Sequence, residues 1–243
     1  MLRHFIARAC ARLPSRCAVC ARWPSEPLCE PCVTRFAQPV PRCQTCALAL
    51  PQDLPRCGAC LTSPGPLDAC LAAVSYAYPW SACVSRFKYR AHPAWAGTLA
   101  GLMRSMPWVE SALEQADWVV PMPLSRERLR ERGFNQALEL ARHLAPTKTR
   151  HDLLLRLRHG PPQRGLERSE RLRSAQGAFG IATARRSHLQ GRSVVLVDDV
   201  MTTGASLYAA AEVLRDAGAR HITGLVLART EDLREDAWPE DSE

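Results

Sequence analysis

"VVLVDDVMTTGAS", Val194 to Ser206, sets an apolar run before two adjacent aspartates and follows them with two threonines, a glycine and a serine. Val194 to Val197 read as a fully buried strand, so Asp198 and Asp199 emerge at its carboxyl end, where ligands collect in a parallel sheet. Neighbouring carboxylates repel each other and are costly to bury without partners. They become tolerable where cations or hydroxyl donors meet them, as the diol of a metal-bound sugar does. Thr202, Thr203 and Ser206 supply hydroxyls, and Gly204 permits a tight turn. A helix opening near Ala205 adds unsatisfied N–H groups at the positive end of its dipole. Strand, diacid, hydroxyl-rich loop and helix therefore describe a pocket for a sugar carrying a phosphate. An acidic turn with one capping Thr or Ser explains a single hydroxyl, but not both acids beside the whole loop.

Working outward, the chain alternates strand-like and helix-like segments from about Asp68. "ACLAAVSYAY", "DWVVPMPL", "HDLLLRLR", "RSVVLVDDV" and "HITGLVLART" read as strands, the second cut off by Pro121 and Pro123, and a polar stretch precedes "GAFGIA". "WSACVSRFKYR", "PAWAGTLAGLMRSM", "NQALELARHLA" and "ASLYAAAEVLRDAG" read as helices, the third placing Ala137, Leu140, Ala141 and Leu144 on one face. Apolar strands without strict alternation, interleaved with helices, predict an α/β fold: a mostly parallel sheet with helices on both faces.

In the 243-residue chain, residues 1–66 are rich in Cys, Pro and Arg and lack any sustained period. The organisation expected is a lead-in helix and Cys-rich module over 1–66, an α/β domain over 67–230, and a flexible acidic tail over 231–243. Arg8 and Arg12 interrupt the apolar character of the start, which argues against a signal peptide, and no stretch reaches the roughly eighteen apolar residues of a membrane span. A cytoplasmic protein is expected.

Eight of the eleven cysteines form four Cys-x-x-Cys pairs: Cys17/Cys20, Cys29/Cys32, Cys43/Cys46 and Cys57/Cys60. Two residues between thiolates let both reach one ion, and two such knuckles complete a tetrahedron with Zn–S bonds of about 2.3 Å. One or two structural zinc ions are expected, paired sequentially or cross-braced, in a duplicated ribbon. A redox role rivals this reading for one pair, but not for four. Cys10, Cys70 and Cys83 stand apart as small apolar residues.

The net charge is +8 and concentrated between Arg126 and Arg173, with thirteen basic against six acidic residues. Gln163, Arg164, Arg168, Arg171 and Arg173 lie in a stretch bounded by Gly and Pro, which suits a movable lid offering guanidinium groups to phosphates. A basic surface loop is the alternative for any single Arg. Gly133 permits a turn after "RERLRER", and Asn135 suits a helix cap.

The segment Val194–Ser206 resembles the phosphoribosyl pyrophosphate signature of type I phosphoribosyltransferases. "VVPMPLSRERLRERGFNQALELA", "PPQRGLERSERLRSAQGAF" and "LVLART" behind a Cys-pair module narrow the resemblance to the ComF/GntX family, associated with competence. The resemblance implies that Asp198 and Asp199 hold the ribose hydroxyls directly or through Mg²⁺. It implies that Thr202, Thr203, Gly204, Ala205 and Ser206 cradle the 5′-phosphate, and that the loop from Met122 with Pro123, Leu124 and Arg126 receives pyrophosphate. It further implies ligand roles for Arg132, Asn135 and Gln136, and a lid over Gly160–Arg173. Gly160 and Ser174 depart from the Thr and Asn usual there.

Two functions follow as expectations. One is a protein that binds phosphoribosyl pyrophosphate with Mg²⁺ and acts in competence, in the uptake or processing of single-stranded DNA, with DNA-uptake or helicase proteins as partners. The other is a phosphoribosyltransferase acting on an unidentified acceptor without a DNA role. Aromatics for base stacking are sparse near the Arg-rich segment, with Phe134 and Phe179 the nearest in sequence.

Overall fold

The computed structural model describes residues 15–51, 54–89, 93–157 and 177–231. The lead-in segment with Cys10, the lid with Gln163, Arg164, Arg168, Arg171 and Arg173, and the tail beyond Glu231 lie outside the described residues. In chain order the elements are α1 (Glu30–Phe36), α2 (Gly58–Thr62), β1 (Ala69–Ser75), α3 (Trp80–Tyr89), α4 (Trp95–Arg104), α5 (Val109–Gln115), β2 (Trp118–Pro121), α6 (Arg126–Arg132), α7 (Gln136–Leu144), β3 (Leu154–Arg156), β4 (Phe179–Ile181), β5 (Ser193–Met201), α8 (Ala205–Asp216) and β6 (His221–Arg229).

Four parallel strands form the main sheet in the order β1-β6-β5-β2, and β3 and β4 make a separate antiparallel pair. Side chains along each strand alternate between two apolar layers. Val195, Val197, Leu225 and Leu227 join Leu99, Leu140 and Phe87 on one face. Val194, Leu196, Ile222 and Val226 join Leu207, Ala211 and Leu214 of α8 on the other. Burial on both faces explains the unbroken apolar runs, as expected of a covered parallel sheet.

Two helices carry weak sequence signals. No residue of α6 is buried, so charges alone mark it; the Ser125 hydroxyl starts it by accepting from Arg128 N–H at 3.2 Å, and Gly133 at φ 77° ends it. In α5 only Val109 and Leu113 are buried, too few to reveal a period. Asn135 caps α7 as expected, its Oδ1 accepting from Leu138 N–H at 3.3 Å.

The cysteine region consists of two similarly built units. In each, a Cys-x-x-Cys knuckle closes on an alanine in the left-handed region, Ala21 at φ 60° and Ala47 at φ 55°. The third cysteine, Cys29 or Cys57, then caps a short helix, α1 or α2, that carries the fourth. Pairing is sequential: the sulfurs of Cys17, Cys20, Cys29 and Cys32 lie within 4.8 Å of one another, as do those of Cys43, Cys46, Cys57 and Cys60. The second unit packs into the core layer of α8, with Cys70 N–H donating to the Gln44 carbonyl at 2.7 Å. Cys70 and Cys83 are buried apolar residues, and burial pushes the Cys70 thiol up to about 12. Glu231, the first residue of the acidic segment, is anchored at 3.1 Å to Arg42 and accepts from Ser75 Oγ at 2.7 Å.

Candidate functional site

β5 continues past the predicted buried run to Met201, so Asp198 and Asp199 belong to the strand rather than to the loop after it. They nevertheless stand at a rim. β2 pairs only as far as Pro121 opposite Val197, with a last hydrogen bond from Met122 N–H to the Val197 carbonyl at 2.9 Å. Beyond Val197 the β2 side of β5 is open, and the chain from Met122 to Leu124 curves away to leave a cleft. Asp198, Asp199, Pro123, Leu124, Thr202, Thr203, Gly204, Ala205, Ser206, Arg132, Asn135 and Gln136 all line it. Arg126 does not; it is exposed on α6, and Arg128, two residues on, faces the cleft instead.

The loop from Thr202 to Ser206 depends on Gly204. Its φ of 83° lies in the left-handed region, and an added Cβ would sit 2.6 Å from Met201 Cε and 2.8 Å from Tyr208 Cζ. Gly204→Ala therefore strains the backbone and forces two packed side chains apart. A loss of about 2–4 kcal/mol is expected in urea unfolding, while Gly101→Ala, in open space on α4, changes stability by less than about 1 kcal/mol. The Thr203 hydroxyl accepts from Ala205 N–H at 3.4 Å, so it serves the turn itself.

Four cations reach the cleft: Arg132, expected from the sequence, and Lys88, Arg128 and Arg156, which it did not single out. Lys88, at the end of α3, places its ammonium 3.0 Å from Asp199 Oδ1. Arg132 stands 3.9 Å from Asp199 Oδ2 and donates to Gln136 Oε1 at 3.0 Å. Arg128 and Arg156 also line the cleft, the latter with its guanidinium 5.3 Å from the centre of the Phe179 ring. Burial first, and then repulsion from Arg128, pull the Arg156 pKa down. No periodicity links these residues to Asp198; only the fold does.

Of four buried side-chain polar atoms without a partner among the described residues, three are donors on this cleft: Arg132 Nε, Gln136 Nε2 and Arg156 Nε. Unpaired buried donors cost about 1–3 kcal/mol each, so their convergence calls for an acceptor-rich ligand. Asn135 lines the cleft too, with its Oδ1 capping α7 and its Nδ2 donating to the Met122 carbonyl at 3.0 Å. It shapes the loop. On the acidic side, burial and then the Asp199 charge push the Asp198 carboxyl up to about 7, although the Asp199 N–H donates to it at 2.8 Å. The site thus combines an anion cradle with a strained diacid, an arrangement suited to a hydroxyl-bearing ligand with several phosphates.

The cysteine clusters fit zinc on their own chemistry. Sulfurs at 3.6 Å (Cys20 to Cys29) and 3.7 Å (Cys46 to Cys57) match the edge of a tetrahedron with bonds of about 2.3 Å. Burial raises the Cys17 thiol, but N–H groups of Cys20, Cys29 and Val19 outweigh it and bring it down to about 6, while burial beside the other sulfurs pushes Cys32 up to about 12, the crowding that a cation would relieve. With four sulfurs each, both centres leave no open position and would be structural.

Among the described residues no helix is long and apolar enough to cross a membrane. Residues 130–240 match the family described as "Phosphoribosyl transferase domain". "Competence protein F" of Haemophilus influenzae is 31% identical over 179 residues, 70% of this chain and 76% of that protein. "Competence protein ComFC" of Bacillus subtilis is 38% identical over 113 residues, 46% of this chain and 44% of that one. "DNA utilization protein YhgH" of Escherichia coli K12 is 29% identical, covering 70% and 76%. A solved structure described as the allosteric regulatory enzyme of purine biosynthesis is 17% identical with a TM-score of 0.34, covering 58% of this chain and 25% of that one. A parallel sheet ending in a diacid and a hydroxyl-rich loop, two four-cysteine clusters, and a relative matched along most of both chains place this protein in the ComF family of phosphoribosyltransferase-like proteins.

Proposed function

We propose that this protein binds phosphoribosyl pyrophosphate together with Mg²⁺ and acts in competence, in the handling of single-stranded DNA. The observation that carries the reading is the pairing of Asp198 and Asp199 with an amide-lined loop in a cleft where three buried donors lack acceptors. In this reading the two carboxylates engage the ribose diol and the Thr202–Ser206 loop holds the 5′-phosphate at the start of α8. Arg128, Arg132 and Arg156 meet the pyrophosphate. The carboxylate oxygens and ligand phosphates form the hard oxygen set that Mg²⁺ takes, and the ion would neutralise charge on the pyrophosphate. The biological role rests on relatives named for competence and for DNA utilization.

Calorimetric titration with phosphoribosyl pyrophosphate, with and without Mg²⁺, tests the ligand. Binding is expected to require Mg²⁺. Arg156→Met is expected to weaken it roughly 10- to 100-fold, the worth of a buried charged hydrogen bond, while Arg126→Ala leaves it within about two-fold. Equal affinities for the Arg156 variant and wild type would remove the pyrophosphate assignment. Competition between single-stranded DNA and the bound sugar phosphate reports whether both use the same cleft.

A further inference from the structure

The aromatics nearest the basic segment in sequence are not free to stack on a base. Phe179 is 4% exposed, and Phe134 is half-buried with its ring 5.5 Å from that of Phe87. Tyr89, by contrast, is 53% exposed at the last position of α3, directly after the Lys88 whose ammonium meets Asp199. The Arg132 guanidinium lies 5.5 Å from the Tyr89 ring centre and also faces Asp199. One side chain therefore links the diacid to an open aromatic ring at the mouth of the cleft.

We propose that Tyr89 is a stacking platform for an unpaired nucleobase whose sugar phosphate occupies the cleft. Three features support it. The ring is solvent-exposed and beside the cleft. Arg132 packs its guanidinium against the ring and so ties it to the cleft. In addition, α3 is fixed by Trp80, Val84 and Phe87 in the apolar core, so the platform is held rather than adaptable. The proposal rests on the sugar-phosphate reading of the cleft and extends it to what the sugar carries. The same chemistry arises from a free nucleotide or from one residue of a single strand. The diacid offers its best partner to a cis-diol, so a ribonucleotide satisfies it more fully than a deoxyribose does.

The test compares full-length wild type, Tyr89→Leu and Tyr89→Trp on four probes: AMP, ribose 5-phosphate, a labelled oligo-dT strand, and an abasic strand of equal length. Wild type is expected to prefer the base-bearing member of at least one pair. Tyr89→Leu is expected to shrink that preference roughly 5- to 100-fold, the range of base–aromatic stacking, and Tyr89→Trp to restore it. Preference confined to AMP assigns a free nucleotide, and preference confined to oligo-dT assigns a strand. No base preference in wild type, or an unchanged preference in Tyr89→Leu, overturns the proposal. A separate wild-type titration with phosphoribosyl pyrophosphate and Mg²⁺ reports on the cleft reading itself, so the two can fail independently.

Discussion

Cys46→Ser, or removal of metal by a chelator, is expected to abolish the cooperative unfolding transition of the whole chain, whereas Cys29→Ser shifts it by only about 5–10 °C. The difference follows from where the two clusters sit. Cys43, Cys46, Cys57 and Cys60 belong to the apolar layer that contains Leu196, Leu207 and Leu214. Cys17, Cys29 and Cys32 form a small cluster of their own beside Val19 and Phe36, with Cys20 exposed. Structural zinc contributes about 10–16 kcal/mol to folding of small modules, which rivals the total stability of a typical domain at about 5–15 kcal/mol. Without the ion, the second cluster leaves four sulfurs crowded inside the core. It also loses its hold on Arg229, a buried cation whose Nε donates to the Cys46 carbonyl at 2.9 Å while Nη1 donates to the carbonyls of Met201 and Thr202. Those two residues lead into the loop proposed to hold the 5′-phosphate, so metal loss at this cluster should weaken sugar-phosphate binding even below the melting temperature. Circular-dichroism melts with metal analysis, expected to give two ions per chain, check both statements. A chelated protein that melts like the metal-bound one would show that the clusters do not carry the fold.

The local parts of this design were legible in the sequence, and the assembled parts were not. Asp198 to Ser206 could be read because strand, diacid, turn and helix start are consecutive, and each residue type has its own physical reason. The four-cysteine units were equally readable as chemistry, but spacing alone left sequential and cross-braced pairing open. The fold decides that question by bringing the first pair to the second and the third to the fourth. Lys88, Arg128 and Arg156 escaped notice because they come from three elements that only the sheet order brings to one cleft. That Arg128 rather than the expected Arg126 lines the cleft escapes the sequence for the converse reason. Along an unrecognised helix with no buried residue, the sequence holds nothing to say which arginine faces inward. Phe134 and Phe179 misled in the same way, because nearness along the chain says nothing about burial.

Asp198→Asn and Asp199→Asn are expected to move stability in opposite directions while both abolish binding of phosphoribosyl pyrophosphate, by more than about 100-fold. Asp198 is raised to about 7 from an ordinary 3.8, by burial and then by the Asp199 charge. Between those values the folded protein holds a proton that the unfolded chain has released. Stability therefore falls as pH rises from about 4 to about 7, and the full cost is present above pH 7. Asparagine has no charge to bury, so Asp198→Asn should stabilise the ligand-free protein by on the order of 2 kcal/mol at pH 8, and lose that advantage near pH 4. Asp199 is bound differently, with Lys88 at 3.0 Å and Arg132 at 3.9 Å. Its replacement strands two largely buried cations, and a loss of about 1–3 kcal/mol is expected at pH 8. Urea unfolding at pH 4 and 8, beside calorimetry with Mg²⁺ and ligand, separates the outcomes. If Asp198→Asn is no more stable than wild type at pH 8, the carboxylate is not held at a cost. If either variant binds with native affinity, the diacid is not the sugar site. The expected result, a more stable protein that no longer binds, would identify Asp198 as a residue kept in a strained state for its ligand.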